Sequence, residues 1–187
     1  NRSPHKGQRI VESHTLGRWQ HWRCPPAWGY NQWLRHAQAP DSMTTTLLMT
    51  PALNKSLPDF EAFATGGVKF TPAAFQGRAV VLYFYPKDNT PGCTTEAMQF
   101  RDQHKEFLKA GAVVFGVSRD NMASHEKFKQ SLELPFELIA DTEEKLCHMF
   151  GVVKNKIMYG KKVKGIERST FLIDGSVVLR AEWRGIK

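Results

Sequence analysis

A three-layer α/β domain built on a mixed sheet is the fold class the sequence predicts. Ala79 to Tyr85 and Ala112 to Ser118 are apolar runs rich in valine and aromatics, too short for globular helices, as buried strands are. Between them, residues 94–109 repeat apolar side chains at steps of three or four, the period of an amphipathic helix. Strand, helix and strand in that order imply a right-handed crossover with parallel strands. Ser169 to Asp174 and Val177 to Trp183 flank Gly175-Ser176 as the arms of a tight antiparallel hairpin, so the sheet is mixed.

The totals suit one such domain. The chain has 187 residues, 41% hydrophobic and 24% charged, enough for a real core. No apolar run approaches the roughly 20 residues that cross a bilayer, so no membrane role is expected. Formal charge is +8, and half of the excess lies in residues 1–42, where six basic residues stand against two acidic ones. Another basic concentration, Lys154 to Lys164, reads as a solvated, glycine-containing loop. Only Tyr159 interleaves its charges with an aromatic, which argues against a nucleic-acid partner. The three cysteines, Cys24, Cys93 and Cys147, cannot all pair and show no metal-type spacing. A reducing, cytoplasmic location fits them, with no metal and no cofactor expected.

Residues 1–42 hold four of the five tryptophans, four of the seven histidines and prolines at 4, 25, 26 and 40, without sustained periodicity. They read as an irregular extension, upstream or vector-derived, ahead of a domain spanning 43–187. Their Arg-rich, acid-poor composition also suits an organelle transit peptide, but serine is sparse and the tryptophans are foreign to one. From Leu57 the pattern is regular. Phe60 to Ala64 and Val68 to Phe70 flank Gly66-Gly67 as a small hairpin, and Thr71-Pro72 opens a short turn. The strand 79–85 ends at Pro86.

In the helix that follows, Ala97, Phe100, His104, Phe107 and Leu108 form the inner face, while Glu96, Arg101, Asp102, Lys105 and Glu106 fall largely on the outer one. Gly111 closes it. After strand 112–118, Asn121 caps a helix to Leu132, and Phe136 to Ala140 is a short strand. Asp141 caps a further helix to Phe150 that carries Cys147, read as a structural cysteine, and Gly151 ends it.

The chemistry concentrates at residues 85–96, Y-P-K-D-N-T-P-G-C-T-T-E. Two prolines and a glycine turn the chain from strand to helix, placing Cys93 at a helix N-terminus, where unpaired N–H groups favour a thiolate. A free thiol with a pKa of about 8.5 is only a few per cent ionised at neutral pH. Lowering a pKa by two units takes roughly 2.7 kcal/mol, and a helix terminus gives about 0.3–1. A cation must supply the remainder. Without one, a lone cysteine at a helix cap is as readily a buried small hydrophobe.

Pro86, Thr90 and Cys93 form P-x-x-x-T-x-x-C, and the chain from about Leu57 to Trp183 resembles the peroxiredoxins of the bacterioferritin comigratory type, also called peroxiredoxin Q. Residues 84–96, G-V-S-R-D at 116–120 and G-I-E-R-S-T-F-L-I-D at 165–174 carry the resemblance. It implies a thioredoxin-like fold with a terminal helix beyond Lys187, so the sequence reads as C-terminally truncated. It also implies a thiol-dependent peroxidase acting on hydrogen peroxide and organic hydroperoxides. In that family pattern Cys93 is the attacking thiolate, Arg168 its cation, Thr90 a hydroxyl for the peroxide, and Pro86 a cover against bulk water. Arg cannot deprotonate and offers a fork of donors, and a threonine hydroxyl both donates and accepts.

Many relatives carry a second, resolving cysteine at the position of Met98, others near Lys129. Neither is cysteine here. The implied reductant is therefore an external thiol, thioredoxin, glutaredoxin or glutathione, acting on a monomer or weak dimer. Two other functions compete. One is a peroxide sensor or chaperone using the same cysteine; the other is a phosphate or flavin cradle at residues 86–93, which its prolines and single glycine disfavour.

Overall fold

The computed structural model describes residues 50–158 and 161–186. The expected extension, residues 1–42 with Cys24, lies outside the described residues. A first hairpin pairs β1 (Ala62–Ala64) with β2 (Val68–Phe70), antiparallel, across a tight turn in which Gly66 and Gly67 both have positive φ. Thr71 then accepts a hydrogen bond from Ala74 N–H and starts a 3-10 turn, Pro72–Phe75.

The central strand is β3 (Ala79–Phe84), parallel to β4 (Ala112–Ser118), which is parallel to β5 (Glu137–Ala140). On its other side β3 pairs antiparallel with β8 (Ser169–Ile173), which pairs with β9 (Leu179–Arg184). The order β2-β1-β5-β4-β3-β8-β9 makes one mixed sheet of seven strands, as the patterning predicted.

Alternation along β3 divides the interior in two. Val80, Leu82 and Phe84 point to one face, with Phe115, Val117 and Phe171 and with residues of α4 (Lys145–Met149). Val81 and Tyr83, with Tyr85 beyond the strand end, point to the other. There they meet Cys93 and Ala97 of α1 (Pro91–Asp102) and Phe128 of α3 (Met122–Leu132). Tyr83 lies over Gly116, where an added Cβ would come within 2.7 Å of its ring and hydroxyl, so the strand needs glycine at that point.

Three expectations need correction. The single helix 94–109 is two, α1 and α2 (His104–Lys109), broken at Gln103, and Leu108 is 47% exposed instead of core. The helix expected directly after Asp141 starts only at Lys145. Asp141 does serve its start, accepting from Leu146 N–H at 3.1 Å and Cys147 N–H at 2.7 Å across an intervening turn. The basic stretch read as a loop is a separate antiparallel hairpin, β6 (Val153–Met158) and β7 (Lys161–Ile166). Lysines at every second position, 154 and 156 and again 162 and 164, suit a two-sided ribbon as well as they do a solvated loop. Tyr159 lies outside the described residues.

Candidate active site

Strand β3 ends where Tyr85 N–H donates to Val117 O at 3.1 Å, and the chain leaves the sheet at Pro86. The link to α1 is five residues, Pro86 to Thr90, with Asn89 in the left-handed region at φ 57. Thr90 holds the N-cap position of α1, and Pro91 supplies a first helical residue without an N–H. Cys93 is thus in the first turn. The first intrahelical bond is Thr94 N–H to Thr90 O at 2.8 Å, so the Gly92 and Cys93 amides precede the ladder, and no side chain caps them.

Arg168, just ahead of β8, meets this turn from the sheet. β8 lies beside β3 with Phe84 opposite Ser169, which brings residue 168 level with the end of the central strand. One arm of the guanidinium, Nη2, lies 3.3 Å from Cys93 Sγ. The other, Nη1, pairs with the Glu96 carboxylate. Gly92 permits the approach, since a Cβ there would sit 3.3 Å from Nη2. The predicted cation therefore stands against the predicted sulfur, from 75 positions away in sequence.

Glu96 is the site residue that sequence reasoning missed, having assigned it to the outer face. The spacing Cys93-x-x-Glu96 puts both side chains on one side of a helix, and that signal was available. Burial pushes the Glu96 carboxyl up to about 7, against the opposing pull of Arg168. Arg168 itself is held above its ordinary value, burial being outweighed by Glu96 and the Cys93 sulfur.

Thr90 and Pro86 are half-buried at the two ends of the link. The Thr90 hydroxyl donates to Lys87 O at 2.9 Å, leaving its lone pairs as what it offers to a ligand. Cys93 itself is 2% exposed. Cys147 is fully buried, and its thiol is pushed well above the ordinary range by burial and by the adjacent Asp141 carboxylate. The two cysteines belong to core clusters on opposite faces of the sheet.

Among the described residues no group of His, Cys, Asp and Glu could hold a metal ion, and no helix is long and apolar enough to cross a membrane.

The family model described as AhpC/TSA matches residues 53–182. Peroxiredoxin Bcp of Bacillus subtilis is 48% identical over 139 residues, covering 74% of this chain and 88% of its own. Peroxiredoxin Bcp of Xanthomonas campestris is 46% identical over 145 residues, covering 78% and 89%. A solved structure of the X. campestris bacterioferritin comigratory protein, from work on its alkyl peroxide reduction, superposes with a TM-score of 0.66 at 46% identity over 68% of this chain and 82% of that one. A PrxQ of Xylella fastidiosa gives 0.70 at 38% identity, over 73% and 87%. The sheet and helices thus form the thioredoxin-like fold, and the chain belongs to the AhpC/TSA family as a peroxiredoxin of the Bcp/PrxQ kind, a thiol-dependent peroxidase.

Proposed function

We propose that Cys93 is the peroxidatic nucleophile, reducing hydrogen peroxide and organic hydroperoxides, alkyl hydroperoxides among them, and that an external thiol completes the cycle. The observation that carries this reading is the 3.3 Å approach of Arg168 Nη2 to Cys93 Sγ at an uncapped helix start. In the first step the thiolate attacks the terminal oxygen of ROOH. The S–O bond forms as the O–O bond breaks, sulfur is oxidised to the sulfenic acid, and RO⁻ takes a proton to leave as alcohol or water. Arg168 and the Gly92 and Cys93 amides stabilise the negative charge that moves from sulfur to the leaving oxygen. Thr90, its proton committed to Lys87 O, accepts a hydrogen bond from the peroxide O–H. Pro86 shields the sulfur from bulk water.

In the second step a reductant R′SH condenses with the sulfenic acid, releasing water and leaving a mixed disulfide. A second R′SH then displaces Cys93 and leaves as R′S–SR′. The position of Cys147 supports an external thiol. It lies across the sheet from Cys93, and a disulfide needs Cα atoms within about 7 Å. Thioredoxin, glutaredoxin and glutathione are the reductant classes that fit, the acting species a monomer or weak dimer in a reducing cytoplasm.

The test is intact-mass analysis after one equivalent of peroxide, with and without a small thiol. One oxygen on Cys93, replaced by a thiol adduct when thiol is present, is the expected result. Cys93→Ser should abolish peroxide consumption while Cys147→Ser sustains turnover. A Cys147→Ser protein that stalls after one cycle would overturn the external-thiol step. Steady-state turnover with a thioredoxin system separates a scavenger from a sensor.

A further inference from the structure

Residues 116–120 and the first turn of α3 have no part in the chemistry above, yet they receive the link that carries Thr90. Asp88, in the middle of that link, turns inward and is 3% exposed. Its carboxylate accepts from Tyr85 Oη at 2.8 Å, from Ser124 Oγ at 2.7 Å and from His125 Nδ1 at 3.0 Å. Burial opposes the charge, yet these donors hold the Asp88 pKa below the ordinary aspartate value. Its backbone N–H donates to Asp120 Oδ2 at 2.8 Å, and Ser118 Oγ donates to that same oxygen at 2.7 Å.

His125 is fully buried, with Nε2 3.2 Å from Ile139 O. Both ring nitrogens therefore have a polar partner, Nδ1 at Asp88 and Nε2 at the β5 backbone, which fixes the ring between the link and the sheet. A buried carboxylate paired with a buried imidazole is costly to assemble and costly to break on one side only. His125 lies in α3 and its Nε2 partner in β5, whereas Asp88 lies in the link, which belongs to neither sheet nor helix.

We propose that Asp88 and His125 are positioning residues for the peroxidase reaction. The pair anchors the Pro86–Thr90 link to α3 and thereby sets Thr90 and the first amides of α1 against the Cys93 sulfur. Lys87 O, one residue from Asp88, holds the Thr90 hydroxyl, so a shift at residue 88 is passed directly to residue 90. The inference rests on the reading of Cys93 as the reacting sulfur.

The test compares reduced wild-type protein with Asp88→Asn and Ser124→Ala in single-turnover reactions. One reaction uses hydrogen peroxide, which needs the positioned cradle; the other uses iodoacetamide, which needs only an accessible ionised sulfur. In Asp88→Asn the ratio of peroxide rate to alkylation rate should fall about 10–100-fold, the scale on which a misplaced catalytic group is felt. Ser124→Ala, which removes one donor from a helix position that favours alanine, should lower the same ratio by a smaller factor. An unchanged ratio in both variants overturns the proposal, whatever happens to melting temperature, because a purely structural pair would lower the amount of folded protein and not the ratio. If Asp88→Asn does not fold, Ser124→Ala decides alone. Wild-type protein that gains no oxygen on Cys93 would instead overturn the reading of the sulfur, an outcome distinct from variants that react at Cys93 as fast as wild type.

Discussion

Arg168 serves two partners at once, and a planar fork is what makes that possible. Lysine offers a single charged centre and cannot reach both Cys93 Sγ and the Glu96 carboxylate in the same geometry. Arg168→Lys should therefore lower the second-order rate with peroxide about 10²-fold, the effect of removing one preorganised donor, as measured by competition for peroxide. Glu96 gives a pH test. Its folded-state pKa, about 7 against an ordinary 4.5, means the folded protein binds the proton more tightly than the unfolded chain does. The associated stability is present below pH 4.5 and lost as pH rises through 7. Wild type should lose on the order of 3 kcal/mol from this group across that window, at 1.36 kcal/mol per unit. Glu96→Gln should lack the loss and be the more stable protein at pH 8 in urea titrations. Cys93 was legible from its place at a strand-to-helix turn and from the P-x-x-x-T-x-x-C spacing, whereas Arg168 was legible only through the family resemblance carried by residues 165–174. Glu96 was not, because a pattern averaged over a sixteen-residue stretch, 94–109, assigns a charge outward, whereas its position three residues after the sulfur turns it inward.

At the level of elements, strands declared themselves more clearly than helix ends. Runs such as 79–85 and 112–118 have no other stable use in a domain of this size, since their backbone and apolar side chains must be satisfied together. Helix ends depend on single side chains. The start of α4 is the instructive case, for Asp141 reaches past a turn whose last residue, Glu144, has positive φ. Asp141→Ala would leave the buried amides of Leu146 and Cys147 without that acceptor. It should cost about 2–3 kcal/mol, read from the denaturation midpoint. The β6–β7 ribbon escaped notice for the opposite reason. It packs outside the main sheet, so no long apolar run marks it, and its lysines alternate with residues of every kind.

On the scale of the molecule, the sheet is a partition. Phe70 belongs wholly to one side, in ring contact with Phe60, Phe75 and Phe115 at 5.0–5.7 Å, while Cys93 belongs to the other. Phe70→Ala should cost about 3–5 kcal/mol. That corresponds to a melting temperature lower by on the order of 10 °C in calorimetry. The peroxide rate of the folded fraction at low temperature should be retained, because nothing on the reactive side is removed. The same partition has an analytical consequence. Cys147 is fully buried with its thiol held well above the ordinary range, so oxidants and alkylating reagents should react with it only on unfolding, which makes it a built-in reference channel. In any sample, label on Cys93 divided by label on Cys147 reports how much of a dose was felt by the native form, independent of protein concentration. A rise of the denominator flags molecules that had already come apart.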